Sequence, residues 1–240
     1  LLSELLDASQ TAVIVRQAMP EGLVKTAVSG LSAPENTSLW TFPNRGMTGG
    51  EIRTIGAAAT PTFTAFRGPD AETYEASALQ HKENVSQIFG ANDPAPHIEN
   101  IFAAMLPHGE VGPPAFSQKA RWLPFNLRAL DPGQQIYSHH DNHYGLSIYD
   151  ALPERFDRTH LLSWFITLQA PESGGELVIY GLWGSDPDPP MLPTRFLDTD
   201  VLERDYRRCS IPMRAGDMVI FDSGRHVHRV TPVEGIDPRY

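Results

Sequence analysis

The second half of the chain is built from short apolar runs separated by turn signals, and this pattern constrains the fold more than any other feature. After Pro124, runs of four to eight residues alternate with Pro-Gly, Ser-Gly-Gly and Ala-Gly-Asp sequences. Several short strands with turns between them are typical of an antiparallel sandwich or barrel. The predicted strands cover residues 125–130, 135–141, 161–168, 176–180 and 218–221.

The first half of the chain predicts one strand followed by helices. The β-branched run Val13-Ile14-Val15 predicts a strand within residues 11–16, and Pro20 opens a helical stretch that continues to about residue 31. Between residues 70 and 106, apolar residues recur at helical spacing, with an interruption at 90–96. This spacing predicts two helices packed against the outside of a sheet.

Length and composition indicate one domain. A chain of 240 residues with 41% hydrophobic residues is long enough to bury one core. We therefore predict a single domain over residues 1–240, mainly β with flanking α-helices. In this domain, residues 1–120 supply a strand and buttressing helices, and residues 121–240 form a barrel core that carries the site.

The charge and the cysteine count argue against several partners and sites. The formal net charge is −10, from 19 Lys and Arg against 29 Asp and Glu, which disfavours binding to nucleic acid or to an anionic membrane. Residues 1–10 lack the features of a signal peptide, and no run of about 18 apolar residues occurs. Because Cys209 is the only cysteine, neither an intrachain disulfide nor a thiolate metal cage can form. We expect a cytoplasmic protein; nothing in the sequence indicates the oligomeric state.

A histidine and an aspartate lie two residues apart in a predicted strand. Residues at this spacing point to the same face, so His139 and Asp141 present an imidazole and a carboxylate side by side. His228, 228 − 139 = 89 residues later, is the best candidate for a third ligand from a distant strand. Two histidines and one carboxylate suit iron(II) (Fe²⁺) and leave coordination positions open. Since the chain has nine histidines, a His-x-Asp sequence alone is weak evidence.

Other histidines remain alternatives. His140 with Asn142 is the alternative register, on the opposite face of the same strand. His143 follows the strand, as a substrate contact or as an exposed loop residue. His226 shares strand parity with His228, so it either supports the site, contacts substrate or simply packs. We assign no role to His81, His97, His108 and His160.

The order of the surrounding motifs makes the signal specific. These motifs are Pro-Gly-Gln-Gln at 132–135, Ser-Gly-Gly-Glu-Leu at 173–177, Ala-Gly-Asp-Met-Val-Ile-Phe at 215–221 and His-Arg-Val-Thr-Pro-Val at 228–233. Over about residues 121–240, they and the histidine–aspartate pair resemble the prolyl-hydroxylase-like branch of the iron(II)/2-oxoglutarate-dependent dioxygenases. The resemblance implies a double-stranded β-helix, the jelly-roll or cupin-like barrel, with iron(II) held by His139, Asp141 and His228.

The resemblance also implies a site for 2-oxoglutarate. Arg239 lies 239 − 228 = 11 positions after the distal histidine, where the family keeps the cation that binds the far carboxylate of this co-substrate. A guanidinium suits this role, because it offers two parallel charge-assisted hydrogen bonds to a carboxylate that has left water. The fallback cations are Arg225, Arg229 and Arg128.

Three features qualify the resemblance. Ile136 stands where the family often has a tyrosine; Tyr137 should face the same side as His139 and is the candidate replacement for a contact to 2-oxoglutarate. The family pattern calls for a further strand after Tyr240. The stretch 181–208, rich in Pro and Asp, is too long for a simple hairpin loop, and we interpret it as a lid over a pocket.

The implied activity is hydroxylation. In the family, iron(II) binds 2-oxoglutarate and dioxygen, and oxidation of 2-oxoglutarate to succinate and carbon dioxide is coupled to hydroxylation of an unactivated C–H bond. Related halogenases have a small residue in place of Asp141, which leaves a coordination site for chloride, so the carboxylate favours hydroxylation here. Desaturation or ring formation would depend on substrate placement. The expected substrate is a small molecule such as an amino acid or a natural-product intermediate.

Two rival functions stay open. One is a jelly-roll module that binds or senses a ligand without chemistry, since fold alone does not establish activity. The other is a cupin-like enzyme with another metal and no oxo-acid. The complete set of ligands argues against the first, and Arg239 argues against the second.

Overall fold

The structure is a computed structural model that describes residues 1–42, 51–56, 69–106, 108–115, 118–119, 121–141 and 160–240. Its helices are α1 (Leu2–Leu6), α2 (Glu21–Ser32), α3 (Pro69–Phe89), α4 (Ala95–Met105) and α5 (Thr199–Asp205), with a 3-10 helix over Pro34–Leu39. Its strands are β1 (Ala12–Val15), β2 (Arg53–Ile55), β3 (Leu127–Ala129), β4 (Ile136–His139), β5 (Leu162–Ile166), β6 (Ser173–Gly174), β7 (Leu177–Trp183), β8 (Arg208–Ile211), β9 (Met218–Asp222), β10 (His226–Val230) and β11 (Val233–Glu234). The described chain is mainly β with flanking helices, as predicted.

Two antiparallel sheets form the centre of the fold. The first has the strand order β1-β9-β5 and the second β4-β10-β7-β8, while β11-β6 and β2-β3 form two-stranded ribbons. β9 and β10 belong to different sheets although only residues 223–225 separate them. This short connection brings the ends of both sheets close together, beside Asp141, which lies two residues after β4.

The two sheets pack face to face. A buried cluster joins their facing sides and contains Leu177, Ile179, Ile211, Val219 and Phe221. Alternate residues of β9, Met218 and Ile220, point away from the second sheet and pack with residues of α1 and α4. The alternation of β9 therefore explains both its complete burial and its apolar run over residues 218–221, since a strand covered on two faces presents apolar side chains to both.

Helices α2 and α3 pack closely and form a separate layer. Their cluster includes Leu127 and Ala129 of β3. The two predicted helices between residues 70 and 106 are confirmed, and they are separated near Gly90, which has a φ of 64°. None of the helices in the described parts of the chain combines the length and hydrophobicity needed to cross a membrane.

Candidate metal centre

Two histidines face each other across neighbouring strands. β4 and β10 pair antiparallel with His139 opposite His228, and opposite residues of such a pair lie on one face of the sheet. Asp141 follows β4 by two residues. One ligand atom from each of these three side chains lies within 4.8 Å of the other two. The structure thus brings the three predicted ligands together, in a donor set that suits iron(II).

Main-chain carbonyls orient both imidazoles. His139 Nδ1 lies 2.7 Å from the carbonyl oxygen of Tyr137, and His228 Nδ1 lies 3.0 Å from that of His226. Because a carbonyl oxygen only accepts hydrogen bonds, each Nδ1 must carry the donated hydrogen. In a neutral ring, Nε2 then keeps its lone pair, so both rings present the nitrogen that a metal requires.

A relay of hydroxyl groups orients the carboxylate of Asp141. The Ser223 hydroxyl donates to Ser163 Oγ at 2.7 Å, and the Ser163 hydroxyl donates to Asp141 Oδ2 at 2.8 Å. The Asp141 amide also donates to the Ser223 carbonyl oxygen at 2.9 Å, which ties the end of β4 to the turn after β9. With Oδ2 held in this way, Oδ1 lies 3.4 Å from His139 Nε2.

Asp141 is ionised in this environment. Burial favours the neutral acid, but interactions with the side chains of His139, His228 and Ser223 outweigh it and hold the pKa of Asp141 well below its usual range. A buried carboxylate that is already ionised is ready to bind a metal without first losing a proton.

His228 is neutral at physiological pH. Burial lowers its pKa from 6.5 to about 4, and repulsion from His139 acts in the same direction. The attraction of Asp141 opposes this shift without cancelling it. A neutral imidazole is the form that binds metals, so His228 has no proton for a metal to displace near pH 7.

The three ligand side chains line a cavity of about 640 Å³. This volume is typical of sites for small molecules. Among the described lining residues, the charged side chains are those of Asp141, Arg128 and Arg239. Much of the remaining wall is apolar and aromatic, with Trp122, Phe125, Leu161, Trp164, Phe165 and Phe221 among its members.

Arg239 reaches this cavity from the end of the chain. Its amide and carbonyl exchange two hydrogen bonds of 2.9 Å with Leu130, and its guanidinium carbon lies 4.8 Å from the centre of the Phe165 ring. Burial lowers the pKa of Arg239 to about 10, with a further contribution from the charge of Arg128. The side chain is still cationic at neutral pH, and it has no ion pair within the described chain.

Arg128 is a second cation in the same cavity. In β3, Leu127 and Ala129 join the cluster with α2 and α3, so Arg128 points to the opposite face. The residue lines the cavity and is accessible to solvent, while desolvation by the surrounding protein lowers the pKa of its guanidinium. The attraction of Asp141 opposes that shift, which places the two charges within range of each other.

The predicted orientation of Tyr137 is wrong because β4 contains a bulge. His228 pairs with His139 and Val230 pairs with Ile136, so three residue steps on β4 match two on β10. The extra residue breaks the alternation on which the prediction relied. Ile136 and His139 line the cavity, whereas the ring of Tyr137 packs 5.6 Å from that of Phe196. The geometry therefore does not support a contact between Tyr137 and 2-oxoglutarate.

The alternative ligands and cations lie elsewhere. His140 packs against Gly184, and His226 packs 6.3 Å from the ring of Trp183; neither belongs to the cluster of ligand atoms. His226 supports the site only through its carbonyl oxygen. Arg225 donates to the carbonyl oxygen of Leu6, and Arg229 pairs with Glu203 at 2.8 Å. Asn142 and His143 fall outside the described residues.

The stretch 181–208 does not act as a lid in this structure. Leu197 and Leu202 pack against Val178, Tyr180 and Leu182 of β7. These β7 residues alternate with Leu177 and Ile179, which face the other sheet. The stretch therefore covers the outer face of the second sheet, and none of the described residues that line the cavity comes from it.

Sequence reasoning missed the two serines that orient Asp141 and placed Arg128 only among the fallback cations. Ser163 is a polar residue inside an apolar strand, and Ser223 follows another such strand directly. A polar residue at an otherwise buried position is the signal that was available. Its partner was not predictable, because 163 − 141 = 22 residues separate Ser163 from Asp141 along the chain.

Comparison with known proteins places these features in a family. The model of the family described as "Carrier-protein-independent halogenase WelO5" matches residues 1–240. An N-substituted L-amino acid dioxygenase from Burkholderia ambifaria, solved in complex with alpha-KG, is 14% identical, with a TM-score of 0.54, over 99% of this chain and 83% of that chain. A prolyl-4-hydroxylase from Pseudomonas putida is 16% identical, with a TM-score of 0.43, over 100% of this chain and 95% of that chain. No curated protein sequence matches.

Proposed function

Because this chain belongs to the family of the carrier-protein-independent halogenase WelO5, it is an iron(II)- and 2-oxoglutarate-dependent oxygenase, and we propose that it hydroxylates a C–H bond of a small molecule. In the balanced reaction, one dioxygen converts the C–H bond and 2-oxoglutarate into a C–OH bond, succinate and carbon dioxide. One observation carries the proposal: a carboxylate, Asp141, completes the ligand set with the two histidines.

His139, Asp141 and His228 are the proposed iron ligands. Their atoms converge within 4.8 Å, both imidazoles are oriented by carbonyl groups, and the carboxylate is held by Ser163. Bound iron(II) supplies the activation of dioxygen that drives oxidation of 2-oxoglutarate and substrate. The residues of the chain hold the ligands in place, so that little reorganisation is needed when the metal enters.

The carboxylate favours hydroxylation over halogenation. A halogenase needs a coordination position for a halide ion, and a small residue at the place of Asp141 would leave one free. Here the carboxylate provides a ligand atom at that place and a negative charge that repels a halide. Asp141 is also tied to Ser163 and to the turn after β9, which keeps it in the ligand set.

Arg239 is the proposed anchor of the far carboxylate of 2-oxoglutarate. It is nine-tenths buried, lines the same cavity as the three ligands and has no ion pair within the described chain. An unpaired guanidinium among aromatic side chains binds an anion more strongly than it would in water. Apolar and aromatic residues form much of the wall around it, and an active site that excludes water protects its reaction from unproductive side steps.

The fold proposed for the whole chain is a double-stranded β-helix in a single domain of residues 1–240. Two facing antiparallel sheets support this arrangement. The likeness in fold to the Burkholderia ambifaria protein also supports it.

The test uses purified enzyme with iron(II), 2-oxoglutarate and a pool of small molecules, with bromide present. We expect succinate formation that depends on both iron and 2-oxoglutarate, and a product that gains one oxygen atom by mass spectrometry. A brominated product from the wild-type enzyme would contradict the proposal. Absence of succinate would instead favour the cupin-like or non-enzymatic alternatives.

Variants at position 141 sharpen this test. Asp141→Ala should abolish hydroxylation and lower iron occupancy with little effect on folding, because the side chain lies at a polar site outside the apolar clusters. Asp141→Gly opens the halide position, so hydroxylation should also fall sharply. Asp205→Ala removes an exposed carboxylate of α5 and is the matched control. Wild-type turnover by Asp141→Ala with full iron occupancy would remove Asp141 from the ligand set.

A further inference from the structure

The cavity holds one more cation than the proposed iron and 2-oxoglutarate chemistry uses. The charged side chains among its described lining residues are those of Asp141, Arg128 and Arg239. Iron(II) with Asp141 carries one net positive charge, and the co-substrate dianion with Arg239 carries one net negative charge. These two net charges cancel. Among the described groups of the cavity, Arg128 is then left without a counter-ion.

The backbone places the two guanidinium groups beside each other. Leu130 and Arg239 form an antiparallel bridge, so their side chains share a face, and Arg128 precedes Leu130 by two residues in the same extended segment. Arg128 is therefore the diagonal neighbour of Arg239 across this pairing. Two cations in adjacent positions repel each other, and such an arrangement is favourable when each has its own anion.

Arg128 lacks an anionic partner among the side chains that the structure describes. Within the described chain it has no ion pair and no side-chain hydrogen bond, and the attraction that it receives comes from Asp141. In the proposed enzyme, iron(II) would take up the charge of Asp141. A guanidinium that lines the cavity, and whose pKa is lowered by desolvation, then remains unpaired within the described chain. Desolvated charges are rarely retained without a partner.

We propose that Arg128 anchors an acidic group of the substrate, so that the enzyme acts on a largely apolar molecule that carries one carboxylate. This inference rests on the proposed function and adds the chemical class of the substrate. The planar guanidinium matches a carboxylate through two parallel hydrogen bonds, and the aromatic wall of Trp164, Phe165 and Phe125 matches an apolar body. The substrate would thus be fixed at its acidic end while a C–H bond of its apolar part is held for oxidation.

The experiment compares acids with amides of the same shape. Enzyme loaded with iron(II) and 2-oxoglutarate under anaerobic conditions is titrated with phenylacetate, 3-phenylpropionate and 4-phenylbutyrate, and with the three corresponding amides, by calorimetry. We expect at least one acid to bind the wild-type enzyme more tightly than its amide. In Arg128→Gln the dissociation constant of that acid should rise roughly thirtyfold or more, while that of the amide changes little.

Arg204→Gln is the matched control, because it removes an equal charge from an exposed position on α5. It should bind acid and amide like the wild-type enzyme. If no acid binds the wild-type enzyme better than its amide, or if Arg128→Gln keeps the preference, the proposal is wrong.

A second measurement separates this inference from the proposed function. Anaerobic titration of the iron-dependent absorption band gives the affinity for 2-oxoglutarate, which Arg128→Gln should leave within about threefold and Arg239→Gln should weaken strongly. Loss of 2-oxoglutarate binding in Arg128→Gln would make Arg128 the co-substrate cation and overturn the substrate assignment. If the wild-type protein binds neither iron nor 2-oxoglutarate, the proposed function fails, and the comparison of acid with amide in the metal-free protein still decides the role of Arg128.

Discussion

At the scale of single residues, the metal site is assembled mostly by hydrogen bonds that involve the main chain. Carbonyl oxygens of Tyr137 and His226 orient the two imidazoles, and the carbonyl of Ser223 accepts from the amide of Asp141. Such bonds depend on backbone geometry and not on the identity of the side chains that follow it. Among the described residues, the relay from Ser223 through Ser163 to Asp141 is the part that side chains make.

Burial of neutral His228 should make the stability of the metal-free protein depend on pH. Its pKa is lowered from 6.5 to about 4, so the unfolded chain binds more protons between these values. The contribution of neutral His228 to the free energy of unfolding is therefore fully present above pH 6.5, and it is lost as the pH falls toward 4. At about 1.4 kcal/mol per pKa unit, the loss between pH 7 and pH 4.5 should be about 2–3 kcal/mol.

Urea unfolding of the metal-free wild-type protein and of His228→Gln at both pH values measures this contribution. Histidines that do not contact His228 act equally in both proteins, so the difference between the proteins reports His228 together with its coupling to His139 and Asp141. The depressed pKa of Asp141 contributes stability that is lost only below its unfolded value of 3.8, outside this window. An equal dependence on pH in the two proteins would show that His228 is not buried in its neutral form.

At the scale of secondary structure, the sequence predicted most elements of the described chain but not their irregularities. Turn residues and alternation were enough to predict the strands around the site, and helical spacing was enough for α3 and α4. The bulge in β4 was not predictable, because it depends on how the strand pairs with β10. His139 and His228, the two candidate histidine ligands, are nevertheless direct partners across β4 and β10, because the bulge lies on one side of this pair. The bulge is also the reason why the face on which Tyr137 lies was predicted wrongly.

The contact between α2 and α3 provides a test at this scale. A Cβ added at Gly30 would lie 2.4 Å from the carbonyl oxygen and 2.8 Å from the Cα of Ile88. Both atoms belong to the backbone, so no change of rotamer can relieve the overlap. Gly30→Ala should force the helices apart and lower the free energy of unfolding by about 1–3 kcal/mol.

Gly22→Ala is the matched control for this variant. Gly22 lies in the same helix, and no atom would come within 4 Å of an added Cβ. Alanine restricts the unfolded chain more than glycine does, so this variant should be unchanged or more stable by up to about 1 kcal/mol. Denaturant unfolding of both variants gives the comparison, and equal stability of the two would mean that α2 and α3 are not in close contact.

At the scale of the whole molecule, the cavity and the chain as a whole carry opposite charge. The chain has a formal net charge of −10, whereas the described cavity wall has two guanidinium groups and one carboxylate. Anions are therefore repelled by the average surface and stabilised inside the cavity. This contrast favours ligands that the cavity can desolvate over anionic polymers, which contact an extended surface.

Iron(II) and 2-oxoglutarate should each stabilise the whole fold, and 2-oxoglutarate should do so only after iron(II) has bound. The site joins β4 and β10 of the second sheet to the turn after β9 of the first, so a ligand bound there holds both sheets in the native arrangement. A ligand at about one hundred times its dissociation constant adds about 2.7 kcal/mol to the free energy of unfolding. Anaerobic iron(II) should raise the melting temperature of the wild-type protein, and 2-oxoglutarate should raise it further only when iron is present.

Variants show which residues are responsible for each increase in melting temperature. Asp141→Ala should lose both increments, because the metal must bind before the oxo-acid can chelate it. Arg239→Gln should keep the increment from iron and lose most of that from 2-oxoglutarate, since the far carboxylate no longer meets a cation. Arg239→Lys should fall between these two, because the charge is retained without the planar pair of donors. A full increment from 2-oxoglutarate in Arg239→Gln would show that another cation of the cavity, Arg128 first, binds the co-substrate.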